Sequence, residues 1–150
     1  MSIMNFKIEG TGTGMRFDAV ADGKHKVTID EPASLGGKDT AANPISTLLA
    51  SLLGCENVMA QIIAKEMNFD LQGISFEVDA TLDTRGLMGD PNVDPKLQTV
   101  IVKAFLQTSE SSERIQQLQD TVDARCPIYQ IIKSAGILIR NEWSKAEVGV

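Results

Sequence analysis

The stretch from Asn43 to about Met67 constrains this chain more than any other, because it reads as one long helix with almost no polar face. Asn43 is a good N-cap, and Pro44 suits the first helical position, where a missing N–H costs nothing. Leu48, Leu52, Cys55, Met59 and Ile62 recur at spacings of three and four. Leu49, Leu53, Ala60 and Ile63 widen that stripe until the helix is apolar over most of its circumference. Such a helix is expected to be buried and central. It has more apolar surface than one small sheet can cover, which predicts an obligate homodimer.

Around this helix the chain reads as strands first and helices later. Phe6 and Ile8 come first, then Phe17, Ala19 and Ala21 alternate with polar neighbours, and Val27 and Ile29 follow the turn signal Asp22-Gly23. This pattern predicts an antiparallel meander. Residues 31–42 are loop by their Pro, Gly-Gly and small polar content. After the helix, Ile74, Phe76, Val78, Ala80 and Leu82 alternate with polar residues, giving the clearest period of two in the chain. Residues 86–95 form a loop. Leu97 to Leu106 is apolar on both faces in its middle and so is an interior strand. Ser111 or Ser112 opens a helix that ends near Arg125, Cys126-Pro127 opens a shorter one closed by Gly136, and Ile137 to Trp143 is the last strand. The order βββ-α-ββ-αα-β has no repeat and no βαβ alternation, so the class is α+β with largely antiparallel sheets, in a single domain over residues 1–150.

Composition excludes several functions. A net charge of -6 with no cluster of Lys and Arg argues against nucleic acid, whose binding depends on such clusters. The N-terminus has neither the basic start nor the apolar stretch of a secretory signal, and no run approaches the ~18 apolar residues of a membrane span. No membrane contact and a cytoplasmic location are therefore expected. The stretch GTGTGM at residues 10–15 is no phosphate loop, since a strand and not a helix follows it. His25 stands alone in the hairpin DGKHK and reads as surface, while Tyr129, Met59 and Trp143 read as core or site lining. No cofactor and no metal are indicated.

The two cysteines, Cys55 and Cys126, are too few for a disulfide scaffold. Free cysteine is often simply buried, and Cys55 on an apolar helix fits that description. Cys126 differs: it lies at the start of a helix held by Pro127, facing unpaired N–H groups and the positive end of the helix dipole, with Arg125 beside it. By this local argument Cys126 is the more acidic thiol.

The segment NPISTLLASLLGC, residues 43–55, resembles a helix of the OsmC/Ohr family, the osmotically induced protein C-like and organic hydroperoxide resistance protein-like proteins. RCPIYQIIKSAGILI, residues 125–139, is similar to the Cys-Pro segment, helix and final strand of the same family. The resemblance implies an OsmC-like α+β fold, with antiparallel sheets packed on a long central buried helix in an intertwined homodimer. It implies reduction of organic hydroperoxides, with Cys55 attacking, Cys126 resolving and an external dithiol restoring the thiols, which reverses the dipole argument. It also implies a cation at Cys55, for which Arg16 and Lys38 are the candidates. The family's acidic residue after Asn-Pro, which orients that cation, is replaced here by Ile45 and Ser46. Glu56, Asp39 and Asp30 are the carboxylates that could stand in. The alternative on the same fold is a non-catalytic small-molecule-binding or redox-sensing protein.

Overall fold

The computed structural model describes residues 2–147 and divides into two compact units, Met1–Ala50 and Ser51–Val150. The N-terminal unit is an antiparallel meander of β1 (Ile8–Thr13), β2 (Arg16–Ala21) and β3 (His25–Ile29) in the order β1-β2-β3. Its second turn depends on Asp22 and Gly23, whose φ values of 50° and 70° lie in the left-handed region that these residue types tolerate best. The GTGTG segment is β1 and the turn after it. A single 3-10 turn, Ala33–Leu35, follows and ends on Gly36 at φ 91°. At Gly37 an added Cβ would fall 1.9 Å from the carbonyl oxygen of Glu31, so backbone passes there where no side chain fits. The Gly-Gly pair thus folds residues 30–40 back on themselves.

Helix α1 (Pro44–Glu66) runs on from this unit into the next. Asn43 caps it, its Oδ1 accepting the N–H of Ser46 at 2.7 Å. Within the chain α1 buries only Leu52, Glu56, Ala60, Ile63 and Ala64, a stripe at spacings of three and four. Within the single chain only this one side of the helix is covered. Leu48, Val58 and Ile62 stay exposed, because one unit of this size can occupy only one side of a helix. By length and composition α1 is also apolar enough to span a membrane, contrary to the sequence expectation, although it carries a fully buried glutamate at its centre.

The C-terminal unit holds a second three-stranded sheet, β4 (Gly73–Leu82), β5 (Leu97–Gln107) and β6 (Leu138–Lys145), in the order β4-β5-β6. β4 is antiparallel to β5, but β6 is parallel to it, pairing Thr99 with Leu138 and Val102 with Asn141. The expected antiparallel sheet is therefore mixed. The chain between β5 and β6 is two helices, α3 (Ser112–Arg125) and α4 (Pro127–Ser134), long enough to carry it back to the starting end. α2 (Thr84–Leu87), a single turn capped by Asp83, lies at the start of the expected loop. Strand β5 is central, with Val100, Val102, Ala104 and Leu106 fully buried. These last two join Ala60, Ile63 and Ala64 of α1, Ile115, Leu118 and Val122 of α3, and Trp143 of β6 in one core. Phe76 packs edge-on to Trp143 with ring centroids 5.9 Å apart.

Candidate functional site

Both cysteines belong to the C-terminal unit, and the fold brings them together across 71 residues of sequence. Cys126 Sγ donates to Cys55 Sγ at 2.9 Å, both thiols being free. Cys55 is half-buried on α1, whereas Cys126 is fully buried where α3 ends and α4 begins. Cys126 caps both helices: its N–H bonds the carbonyl of Val122, and its Sγ accepts the N–H of Tyr129 at 3.4 Å.

The dipole argument that made Cys126 the more acidic thiol is overturned. Burial, first, and the hydrogen bond to Cys55 push Cys126 up to about 12, outweighing the Tyr129 N–H that favours the thiolate. The helix end supplies one long donor contact, while burial removes all water from the sulfur. Arg125 does not help, because its guanidinium is spent on Glu66 at 2.6 Å.

Beside the thiols lies a set of polar side chains without a cation among its hydrogen-bond partners in the described residues. Glu56, next to Cys55 and fully buried, accepts from Asn141 Nδ2 at 2.9 Å through Oε1, and its Oε2 has no partner. The same Asn141 nitrogen donates to Asp123 Oδ1 at 2.6 Å. One amide thus serves two carboxyl groups, and its own oxygen accepts from Trp143 Nε1 at 2.7 Å. Gln119, one turn before Asp123 on α3, takes the backbone N–H of Trp143 and gives to the carbonyl of Asn141, pairing with the open edge of β6 as another strand would. Burial, then the nearby Asp123, raises Glu56 to about 7, and burial likewise raises Asp123 to about 6.

The N-terminal unit contains the other two candidates, in a polar cluster of its own. Arg16 grips Asp18 with Nε and Nη2 at 3.0 and 2.9 Å, and its Nη1 donates to Thr40 Oγ1 at 2.7 Å. That hydroxyl donates in turn to Asp30 Oδ2 at 2.6 Å. Asp30 is buried, and the Thr40 hydroxyl with the N–H groups of Glu31 and Thr40 holds its carboxyl down at about 2. Arg16, Lys38, Asp30 and Thr40 line a cleft of about 290 Å³ with Gly36 and Gly37.

Of the carboxylates considered as partners for the arginine, Asp30 acts through Thr40, while Glu56 faces Asn141 and Asp123 instead. Asp18 was missed as the direct partner. The signal was present, since residues two apart on a strand share a face. Asn141 and Asp123 were also missed, and only the mixed sheet, which sets β6 beside α3, makes their meeting visible. Tyr129 and Trp143 are buried, as read from their spacing.

A sequence profile of the family described as OsmC-like protein matches residues 37–140. Among curated protein sequences none matches. Solved structures place the fold: an OsmC-like protein from Mycoplasma pneumoniae superposes with a TM-score of 0.83 at 17% identity, covering 96% of this chain and 99% of its own. An organic hydroperoxide resistance protein OsmC from Legionella pneumophila gives 0.73 at 18% identity, covering 98% and 100%. The organic hydroperoxide resistance protein of Bacillus subtilis gives 0.65 at 20% identity, covering 95% and 100%. At these identities the likeness speaks for architecture, and together with the profile over residues 37–140 it establishes that the chain belongs to the OsmC-like family.

Proposed function

We propose that the protein reduces organic hydroperoxides with Cys55 as the attacking thiol and Cys126 as the resolving one. The observation that carries this reading is the 2.9 Å approach of the two sulfurs, in which Cys126 is the donor. Cys126 thus already stands where a bridge would form. Cys55 thiolate attacks the O–O bond, giving Cys55 sulfenic acid and the alcohol. Cys126 then displaces hydroxide, which leaves as water, and closes the disulfide. An external dithiol returns both thiols. Leu52 and Met59, one turn either side of Cys55, suit an alkyl group better than hydrogen peroxide.

The chain is further proposed to work as a homodimer. Ile3, Met4, Phe6 and Ile8 of the first unit and Val58 and Ile62 of α1 are exposed apolar residues that a second copy would cover. Arg16 is the stronger cation candidate for Cys55, because Asp18 and Thr40 fix its guanidinium, whereas Lys38 has no ion pair among the described residues. The same Asp18 pair supports the second reading, a binding or redox-sensing protein, since it leaves Arg16 already neutralised.

One equivalent of an alkyl hydroperoxide should remove both thiols and give the Cys55–Cys126 disulfide, read by thiol titration and intact mass. In Cys126→Ser a sulfenic acid should be trapped at Cys55, and Arg16→Ala should slow its formation at least ~10-fold. Thiols that survive the hydroperoxide while remaining reactive to disulfides would leave the redox-sensing reading in its place.

A further inference from the structure

The family resemblance asks nothing of Glu56 beyond a grip on an arginine, and within its own unit Glu56 bonds to Asn141 instead. A carboxyl group at the middle of an apolar helix, fully buried and with one oxygen unpaired, is costly to keep. It adjoins Cys55 in sequence and is tied through Asn141 to Asp123, which stands three residues before Cys126 on α3. Asn141 from β6 bonds to it, Asp123 from α3 and Trp143 from β6 act on its titration, and its own charge acts on Cys126 and Tyr129 at the start of α4, with Cys55 beside it on its helix and Gln119 of α3 on the Asn141 carbonyl. Lys133 bears on Asp123 from α4 and Asp120 from α3. Among the described residues no cation bonds to Glu56.

We propose that Glu56 is the proton acceptor for Cys126 when that thiol closes onto Cys55, the free Oε2 being the oxygen that takes the proton. The inference rests on Cys55 and Cys126 being a redox pair, and it adds a residue to the resolving step. Cys126 must lose its proton as the S–S bond forms, but burial holds that proton firmly, and its only sulfur partner is the one it attacks. Asp123 is the other nearby carboxyl, but Asn141 and Gln119 both act on it, whereas Glu56 keeps Oε2 unpaired. With sulfenic acid at Cys55, the carboxylate takes the Cys126 proton while the S–S bond forms and the S–O bond breaks. It hands the proton to the departing hydroxide, so water leaves and Glu56 is unchanged. With an aryl disulfide at Cys55, the same attack expels the aryl thiolate, and the proton passes from Glu56 to solvent. Glu56 is suited to both halves of this transfer, since its titration near 7 leaves both protonation states populated at neutral pH.

Closure can be timed without a hydroperoxide. Dithionitrobenzoate first caps Cys55, releasing one aryl thiolate, and attack by Cys126 releases a second, whose rate is the rate of closure. In the wild-type dimer that rate should rise with pH to a plateau, with a midpoint near 7. Glu56→Gln, which keeps the Asn141 contact, should slow the second release at least ~10-fold at pH 7.5 and abolish that midpoint, while the first release changes less than ~3-fold. Asp123→Asn removes the charge that raises Glu56 and should move the midpoint to lower pH. Glu56→Asp should restore part of the rate. A second release in Glu56→Gln within ~2-fold of wild type, with the same midpoint, would overturn the proposal, as would an equal slowing of both releases. A parallel arm adds an alkyl hydroperoxide. If the wild type ignores it while closure still depends on Glu56, the peroxidase reading fails and this one stands.

Discussion

Two polar clusters in this chain use the same kind of acid and treat it in opposite ways. In the N-terminal unit, Asp30 has as little accessible surface as Glu56, but burial weighs on it less than the donors around it: two backbone N–H groups and a hydroxyl that is itself bonded to Arg16. Its carboxyl is held down at about 2. In the C-terminal unit, Glu56 and Asp123 share a single amide nitrogen and both are pushed up. Burial alone therefore does not decide how an acid titrates. Burial and the donors aimed at the acid decide together, so the first cluster holds a charge while the second holds its protons more tightly.

Removing the donor that both acids of the second cluster share should have the largest effect. Asn141→Leu strips the shared amide from Glu56 and Asp123 and leaves Trp143 Nε1 unpaired, so denaturant unfolding should show a loss of roughly 3 kcal/mol at pH 8 and a smaller one at pH 5, where both acids are neutral. An equal loss at both pH values would mean that the amide serves packing and not charge.

Next in size is Glu56→Gln, which sharpens the comparison by its sign. Glu56 has a folded pKa of about 7 against an ordinary 4.5, so the folded state holds more protons between these values and stability falls as pH rises through them. Glu56→Gln should flatten that limb and gain roughly 2 kcal/mol at pH 8, with little change at pH 4. Asp30 works in reverse: its pKa lies below the unfolded value, so its contribution is present above about pH 4 and is lost as pH falls through about 2. Thr40→Val, which removes the hydroxyl linking Asp30 to Arg16, should lower the melting temperature by a few degrees at neutral pH and less at pH 2. The smallest effect is expected at Arg125, whose pair with Glu66 is about half exposed. Arg125→Ala should leave the melting temperature unchanged within error.

The two thiols were legible because they sit in local patterns, an Asn-Pro helix start and a Cys-Pro helix start, that survive without knowledge of the tertiary structure. The raised pKa of Cys126 was not. The dipole at Cys126 is a property of a few neighbouring residues, but the burial that overrides it is supplied by chain far away in sequence. Likewise β6 showed itself as a strand by composition, while its direction was hidden, since a strand's own pattern does not say which way its partner runs. That hidden direction is what places Asn141 against Val102 and so beside Glu56. Asp83, which caps α2, was readable in principle from the Asp-Thr-Arg start, but a four-residue helix leaves no periodicity to find.

The parallel seat of β6 also orders events in time. β4 and β5 are joined by a short connection and can pair early, but β6 reaches β5 only after α3 and α4 have been laid down between them, and long loops close slowly. Asn141 and Trp143 arrive with β6, so the neighbourhood that insulates Glu56 and Cys126 is expected among the last parts of the chain to be assembled. A nascent or partly unfolded chain exposes two ordinary thiols, free to pair with any oxidised partner, and the distinction between them is a property of the finished fold.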